Sequence, residues 1–168
     1  PVDAAGKEMA GANTVSNLVV KNYNREGFAH FNFKGIGAYN NDGTLKSDAK
    51  VLYITASTAK TVSTEVITGD KNKKQTVTGL QAIIDAYQKG YDTTPIAFRI
   101  IGKVSLADLD GISSSAEGLQ IKGKTGYSTM NMTFEGVGDD ATIYGFGFLV
   151  RSAKSVEFRN FAIMRCLD

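Results

Sequence analysis

Apolar residues alternate with polar residues or glycine through much of the second half of the chain. Residues 132–136 read Met-Thr-Phe-Glu-Gly, and residues 156–160 read Val-Glu-Phe-Arg-Asn, so the second segment repeats the first after 24 residues. A period of two is typical of a strand with one buried face. The apolar side chains that we therefore predict to share one buried stack are Met132, Phe134, Val156, Phe158 and Phe161.

The repeat also predicts how the strands are connected. Short strands separated by bends, with no helix crossing between them, indicate a solenoid whose rungs bury apolar faces against their neighbours. The chain contains 18 glycines and only 2 prolines, which favours many tight bends between short strands. We predict an all-β fold, a parallel β-helix.

One helix is predicted before these rungs, over residues 78–90. Thr78 is expected to be its N-cap, and Gly90 stands where a helix commonly ends. Apolar residues recur at helical spacing between these ends, and they are Leu80, Ile83, Ile84 and Tyr87. We expect this apolar face to cover one end of the coil.

The remaining elements are predicted from β-branched and aromatic runs and from turn residues. Strands are expected at 28–33, 50–55, 60–68, 95–104, 119–122 and 130–136; loops or turns are expected at 70–74, 106–109 and 139–140. His30 would be a surface or hydrogen-bonded residue of the first strand. The predicted parts of the single domain are an irregular segment (1–50), a strand and capping helix (51–95) and the first rungs (96–168).

Composition excludes several classes of protein. The net charge is +2, from 19 basic and 17 acidic residues, so charge gives no reason to expect a nucleic-acid or membrane partner. Apolar runs are far shorter than the roughly 18 residues of a membrane span. A single cysteine, Cys166, excludes an internal disulfide framework, and we expect a buried, inert thiol. No signal peptide opens the chain, which indicates either a cytoplasmic protein or a signal already removed.

A series of short motifs from residue 117 to residue 163 resembles a known family. The motifs are Met-Thr-Phe-Glu-Gly-Val-Gly (132–138), Ala-Thr-Ile (141–143), Gly-Phe-Gly-Phe (145–148) and Ser-Val-Glu-Phe-Arg-Asn-Phe (155–161). In order and spacing they resemble the pectate lyases of polysaccharide lyase family 1, which are secreted right-handed parallel β-helices. With the strand and helix before them, the resemblance extends over most of residues 51–168.

The resemblance implies an activity and a location. It implies a secreted lyase, its signal peptide already removed, that cleaves polygalacturonate, the acidic polysaccharide of pectin, by β-elimination. Ca²⁺ would be the cofactor and an arginine the base. The family's later motifs, namely further calcium ligands, a W-x-D-H strand and catalytic arginines, do not occur in this chain. We therefore expect an amino-terminal part that is inactive alone and whose partner is the carboxy-terminal remainder of the same β-helix.

Few residues here match the family's functional positions. Asp168 is the candidate calcium ligand, Arg165 is the candidate substrate-binding residue, and no catalytic residue is assigned. Arg159 and Asn160 match positions that are structural in the family, Asn160 being a turn asparagine bonded to backbone. Two alternatives remain open. One is a non-catalytic β-helix that binds carbohydrate or mediates adhesion, and the other is a calcium-independent pectin lyase that acts on the methylated polymer.

Overall fold

The described part of the chain folds mainly into parallel β-sheets with one short α-helix. A computed structural model describes residues 25, 30–32, 35–112, 118–124 and 128–166. The elements are β1 (Lys50–Ile54), β2 (Ser63–Gly69), β3 (Lys73–Thr78), α1 (Leu80–Gln88), β4 (Ile96–Ser105), a 3₁₀ helix (Leu106–Asp108), β5 (Leu119–Lys122), β6 (Ser128–Tyr144), β7 (Phe148–Arg151), β8 (Ala153–Arg159) and β9 (Ala162–Met164). Most of the predicted strands are therefore confirmed.

The largest sheet has the strand order β1-β4-β6-β8, and all of its pairs are parallel. The long strand β6 pairs with β8 through its first half and with β9 through its second half. A separate parallel pair is formed by β5 and β7. The three parallel pairs are β5–β7, β6–β8 and β6–β9. The chain contributes to them in this order with β5 and the two halves of β6, and then again in the same order with β7, β8 and β9.

The predicted 24-residue offset is the register of β6 with β8. Met132 is paired with Val156, and Phe134 is paired with Phe158. Two residues further on, Asn160 has a φ of 57°, and its Nδ2 donates to the Gly136 carbonyl oxygen at 2.8 Å. The predicted structural role of Asn160 in a turn is confirmed.

The predicted apolar stack is correct for Met132 and Phe134, which are buried, and wrong for Phe158, which is exposed; Phe161 is partly buried. The rings of Phe98 and Phe134 are fully buried and stack with centroids 4.8 Å apart. Phe158 stacks on Phe134 at 5.3 Å but is 39% exposed, and Val156 is only partly buried. The reason is that β8 pairs with β6 along one edge, while no strand in the described part of the chain covers its other edge.

Helix α1 is buried as predicted, but it begins at a different residue. The apolar side chains predicted for its buried face, Leu80, Ile83, Ile84 and Tyr87, are all in the core. Its N-cap is Gly79, with a φ of 95°, whereas Thr78 is the last residue of β3, where it pairs with Ser63. At the other end Gly90 has a φ of 79°, as expected for a residue that ends a helix.

The helix also covers one edge of β5. The Gln81 Oε1 accepts a hydrogen bond from the Gln120 amide at 2.9 Å, and the side-chain amides of Gln81 and Gln88 donate to the Gln120 carbonyl at 3.1 and 3.0 Å. Side-chain amides thus take the place of a neighbouring strand, which protects an edge that could otherwise pair with another chain.

Two predicted loops are strands or parts of strands. Residues 73–74 belong to β3, which pairs antiparallel with β2. At the tip between them, Lys71 and Asn72 both have positive φ, as tight hairpin turns require. Asp139 and Asp140, predicted in a turn, lie in a bulge of β6. Val137 pairs with Ile101 and Thr142 pairs with Lys103, so β6 advances by five residues where β4 advances by two.

Two further predictions are wrong where the structure describes them. Residues 30–32 form a helical turn in place of the predicted strand at 28–33, whose other residues lie outside the described ones. Cys166 is exposed rather than buried, because it follows the outermost strand β9. Among the described helices, none has the length and apolar character needed to cross a membrane.

Candidate functional site

A row of polar side chains crosses the outer face of the main sheet. The strand register places Tyr53, Arg99, Glu135 and Arg159 next to one another on β1, β4, β6 and β8. Successive residues of a strand point to opposite faces, so this row lies opposite the buried phenylalanines. Adjacent strands are about 4.8 Å apart, which brings neighbouring charges into contact.

A buried arginine joins this row to a second glutamate. Arg25 is only 3% exposed, and its Nη2 lies 2.7 Å from Glu157 Oε2. Its Nη1 lies 3.3 Å from Glu135 Oε2, and its guanidinium carbon stands 3.5 Å from the centroid of the Tyr39 ring. One guanidinium therefore bridges the carboxylates of two adjacent strands.

His30 completes the buried side of the cluster. Its Nε2 is 3.0 Å from Glu157 Oε1, and its Nδ1 is 3.0 Å from Asn41 Oδ1. Thr133 also donates to Glu157 Oε2, at 3.1 Å. His30 is thus a hydrogen-bonded residue, as one of the two predicted readings has it, and it is buried rather than on the surface.

These contacts change the acidity of the groups involved. Burial alone would raise the pKa of the Glu157 carboxyl, but hydrogen bonds from Arg25 and His30, with the charge of Arg25, hold that pKa below its usual value. Burial raises the pKa of the Tyr39 phenol, and its hydrogen bond to Glu135 raises it further. Glu157 therefore stays ionised at neutral pH.

An open pocket of about 670 Å³ lies over this row. Three arginines and one glutamate contribute to its wall. The lining residues are Arg25, Tyr39, Gly43, Arg99, Glu135, Gly136, Val137, Arg159 and Asn160. We call this cavity the arginine pocket.

A second polar surface lies on the β5–β7 pair. Lys122 and Arg151 are directly paired in the parallel register, and Gln120 and Leu149 are paired two residues earlier on the same face. Arg151 is exposed and Lys122 is partly exposed. Neither cation forms an ion pair with an acidic residue in the part of the chain that the structure describes. We call these two residues the cation pair.

Of the two site residues predicted from the sequence, one lies away from both polar surfaces and the other lies outside the described residues. Arg165 follows β9, is exposed, and has its guanidinium carbon 5.7 Å from the centroid of the Tyr144 ring. Asp168 lies outside the described residues, so its predicted role as a calcium ligand stays a prediction. Among the residues described, no three His, Cys, Asp or Glu side chains come together as metal ligands, and Asp139 and Asp140 are exposed.

Only part of the charged cluster can be predicted from sequence patterns. Glu135 and Arg159 occupy polar positions of alternating strands, which predicts that they share a face. Arg25 is separated from Glu135 by 110 residues and from Glu157 by 132. No local pattern predicts a contact over such a separation, so the buried bridge was missed.

Comparisons with known proteins add no functional assignment. No protein-family description, no curated protein and no solved structure matches this chain. We therefore infer function from the two polar surfaces and from the motifs in the sequence.

Proposed function

We propose that the chain is the amino-terminal part of a secreted, calcium-dependent pectate lyase, built as a right-handed parallel β-helix with α1 as its cap. Support for the coil comes from the three parallel ladders that the chain visits in a fixed order. Support for the cap comes from the side-chain amides of α1 that bond the edge of β5. The motifs that resemble polysaccharide lyase family 1 lie in β6 and β8 and in the bends that follow these strands.

The cation pair is the observation that supports an acidic substrate. Like charges directly opposite each other on adjacent strands repel and lower stability. Lys122 and Arg151 nevertheless stand side by side. Polygalacturonate carries one carboxylate per sugar, and guanidinium groups bind carboxylates with two parallel hydrogen bonds. A bound acidic chain would therefore relieve this repulsion.

The described residues suit binding better than the chemical step. In β-elimination a base removes the C5 proton of a galacturonate and the C4 oxygen leaves; a calcium ion, if held, would supply positive charge next to the uronate carboxylates. Calcium takes six to eight oxygen ligands, and the described residues do not fit such a site because they contain no cluster of three candidate ligands. We propose that Lys122 and Arg151 bind the polymer. Arg165 is proposed as a further substrate contact, and Asp168 as a calcium ligand.

Binding can be tested with matched charge removals. The double variant Lys122→Gln/Arg151→Gln is compared with Lys71→Gln/Lys73→Gln on the β2–β3 hairpin, which removes the same charge from exposed positions. Affinity electrophoresis in gels containing polygalacturonate at low salt measures retardation. We expect the first variant to bind at least about tenfold more weakly, the scale of a lost charge-assisted contact. An equal loss in both variants would mean that only net charge matters.

Cleavage is followed by the ultraviolet absorbance of the unsaturated product. We expect no product from the 168-residue chain, and calcium-dependent product from a form that extends beyond Asp168 and carries the calcium ligands and base. Product from the 168-residue chain would show that the active site has been misassigned. Binding without cleavage by the longer form would favour the binding module, and cleavage of methylated pectin in the presence of chelator would favour pectin lyase.

A further inference from the structure

The described part of the chain before β1 packs across the outer face of the main sheet. We call it the strap, and its members are Arg25, residues 30–32 and residues 35–49. Side chains of the strands bind its backbone. The Gly37 amide donates to Ser155 Oγ at 3.0 Å. The Ala38 amide donates to Thr133 Oγ1 at 3.0 Å. These bonds hold the strap on the sheet, and they can open without unpairing two strands.

His30 of the strap lies between two oxygen atoms. It is the single histidine of the chain, and its side chain is only 3% exposed. Its Nε2 faces Glu157 Oε1 and its Nδ1 faces Asn41 Oδ1, each at 3.0 Å. An imidazolium donates from both ring nitrogens, whereas a neutral ring carries one N–H. Loss of a proton therefore removes one of these two hydrogen bonds, and it also removes the positive charge beside the carboxylate.

The charged groups around His30 act in opposing directions. They are Arg25, Arg159, Glu135 and Glu157, and beside Arg25 lies the phenol of Tyr39, whose pKa is raised by burial. The two arginines contact the Glu157 carboxylate and disfavour a further positive charge, whereas both glutamates favour it. Glu157 alone among these groups touches the ring. Hydrogen bonds from Arg25 and His30 keep the pKa of Glu157 below its usual value, so the negative partner is present near neutral pH.

The position of His30 links the proton concentration to the docking of the strap. Histidine differs from the other side chains in that it commonly changes charge near neutral pH. We propose that His30 is a pH-sensitive latch, which holds the strap on the main sheet when its ring is protonated and loosens the strap when its ring is neutral. Tyr39 belongs to the strap and also lines the arginine pocket. Loosening the strap opens this wall, so pH controls whether the arginine pocket is formed.

Amide hydrogen exchange followed by NMR tests the latch. The Gly37 and Ala38 amides report the docking of the strap, because both donate to side chains of the strands. The matched control is the amide of Phe98 in β4, a buried residue with a paired strand on each side. Protection factors, corrected for the intrinsic pH dependence of exchange, are compared at about pH 5.5 and about pH 8, on either side of the usual histidine range. The variant His30→Gln keeps a donor and an acceptor but does not titrate, and circular dichroism confirms that it is folded.

We expect the protection of the Gly37 and Ala38 amides in the wild type to fall by at least about tenfold at the higher pH, the scale of one charge-assisted hydrogen bond, and that of Phe98 to stay within about twofold. In His30→Gln the two strap amides should show no such fall. Equal changes at all three amides, or a fall that persists in His30→Gln, would overturn the proposal.

Two further measurements do not depend on the folding of His30→Gln. Because the chain has one histidine, its ring signals are unambiguous, and we expect two ring N–H protons at the lower pH. A single ring N–H would mean that the Asn41 amide is rotated and donates to a neutral ring, and the proposal would be wrong. Asn41→Asp places a carboxylate at Nδ1 and should move the midpoint of the change upward by about one pH unit or more. An unchanged midpoint would also contradict the latch.

Discussion

Truncating Phe134 tests whether its ring lies in a fully covered part of the core. Phe134 is 1% exposed and lies between the rings of Phe98 and Phe158, with centroid distances of 4.8 and 5.3 Å. A buried Phe→Ala substitution costs about 3 to 5 kcal/mol, because it removes apolar contacts and leaves a cavity. Stacked pairs add about 0.5 to 1.5 kcal/mol each, so Phe134→Ala is expected near the upper end.

Phe158→Ala is the matched comparison, since the two residues are register partners of the same type. Phe158 is 39% exposed, so scaling the same range by its buried share gives about 2 to 3 kcal/mol. Urea unfolding followed by far-ultraviolet circular dichroism measures both, with equal m-values required for the comparison. A loss for Phe158→Ala equal to or greater than that for Phe134→Ala would refute the description of β8 as a partly covered strand.

Two further predictions concern the charged cluster and the turn beside it. The pKa of Glu157 is lower in the folded state than its ordinary value of 4.5, so the stability that the ionised carboxylate contributes is present above that pH and is lost as the pH falls below it. The urea midpoint should therefore decline on acidification less steeply in Glu157→Gln than in the wild type. Identical slopes would contradict the lowered pKa of Glu157. A Cβ at Gly136 would lie 1.9 Å from the Asn160 carbonyl oxygen, whereas at Gly69 the nearest atom is 3.7 Å away. Gly136→Ala should therefore cost on the order of 3 kcal/mol and Gly69→Ala much less, and similar unfolding midpoints for the two variants would show that the turn can relax.

Strand positions were predictable where one face is buried. The alternation in residues 132–136 and 156–160 predicted both strands and their register, because parallel rungs place equivalent side chains on top of one another. Alternation indicates which face points inward, but not whether another strand covers that face. For that reason Phe158 was predicted to be buried and is not.

The hairpin was harder to predict because its second strand is polar. Strand β3 reads Lys-Lys-Gln-Thr-Val-Thr, and nearly all of its side chains are exposed. It is held by backbone pairing to β2 rather than by an apolar face, so hydrophobic periodicity gave no signal. Its last residue, Thr78, was therefore assigned to the helix as an N-cap.

The charged cluster depends on contacts between distant parts of the chain. Strand alternation predicts the polar face of β4, β6 and β8. It does not predict that Arg25 bridges Glu135 and Glu157 on that face. Arg25 reaches that face through tertiary structure alone, and burying it is tolerable only because two carboxylates neutralise and hydrogen-bond it. Arg165 does not belong to this cluster, and Asp168 lies outside the described residues, so the cluster contains neither of the site residues predicted from the sequence in the part of the chain that the structure describes.

The most direct test of the proposed function compares one polymer in two charge states. Binding of the 168-residue chain to polygalacturonate and to fully methyl-esterified pectin is measured at low ionic strength, where exposed charges are least screened. We predict binding to polygalacturonate that weakens with added salt, and little or no binding to the esterified polymer. Equal binding to both polymers, or binding to neither, would contradict it.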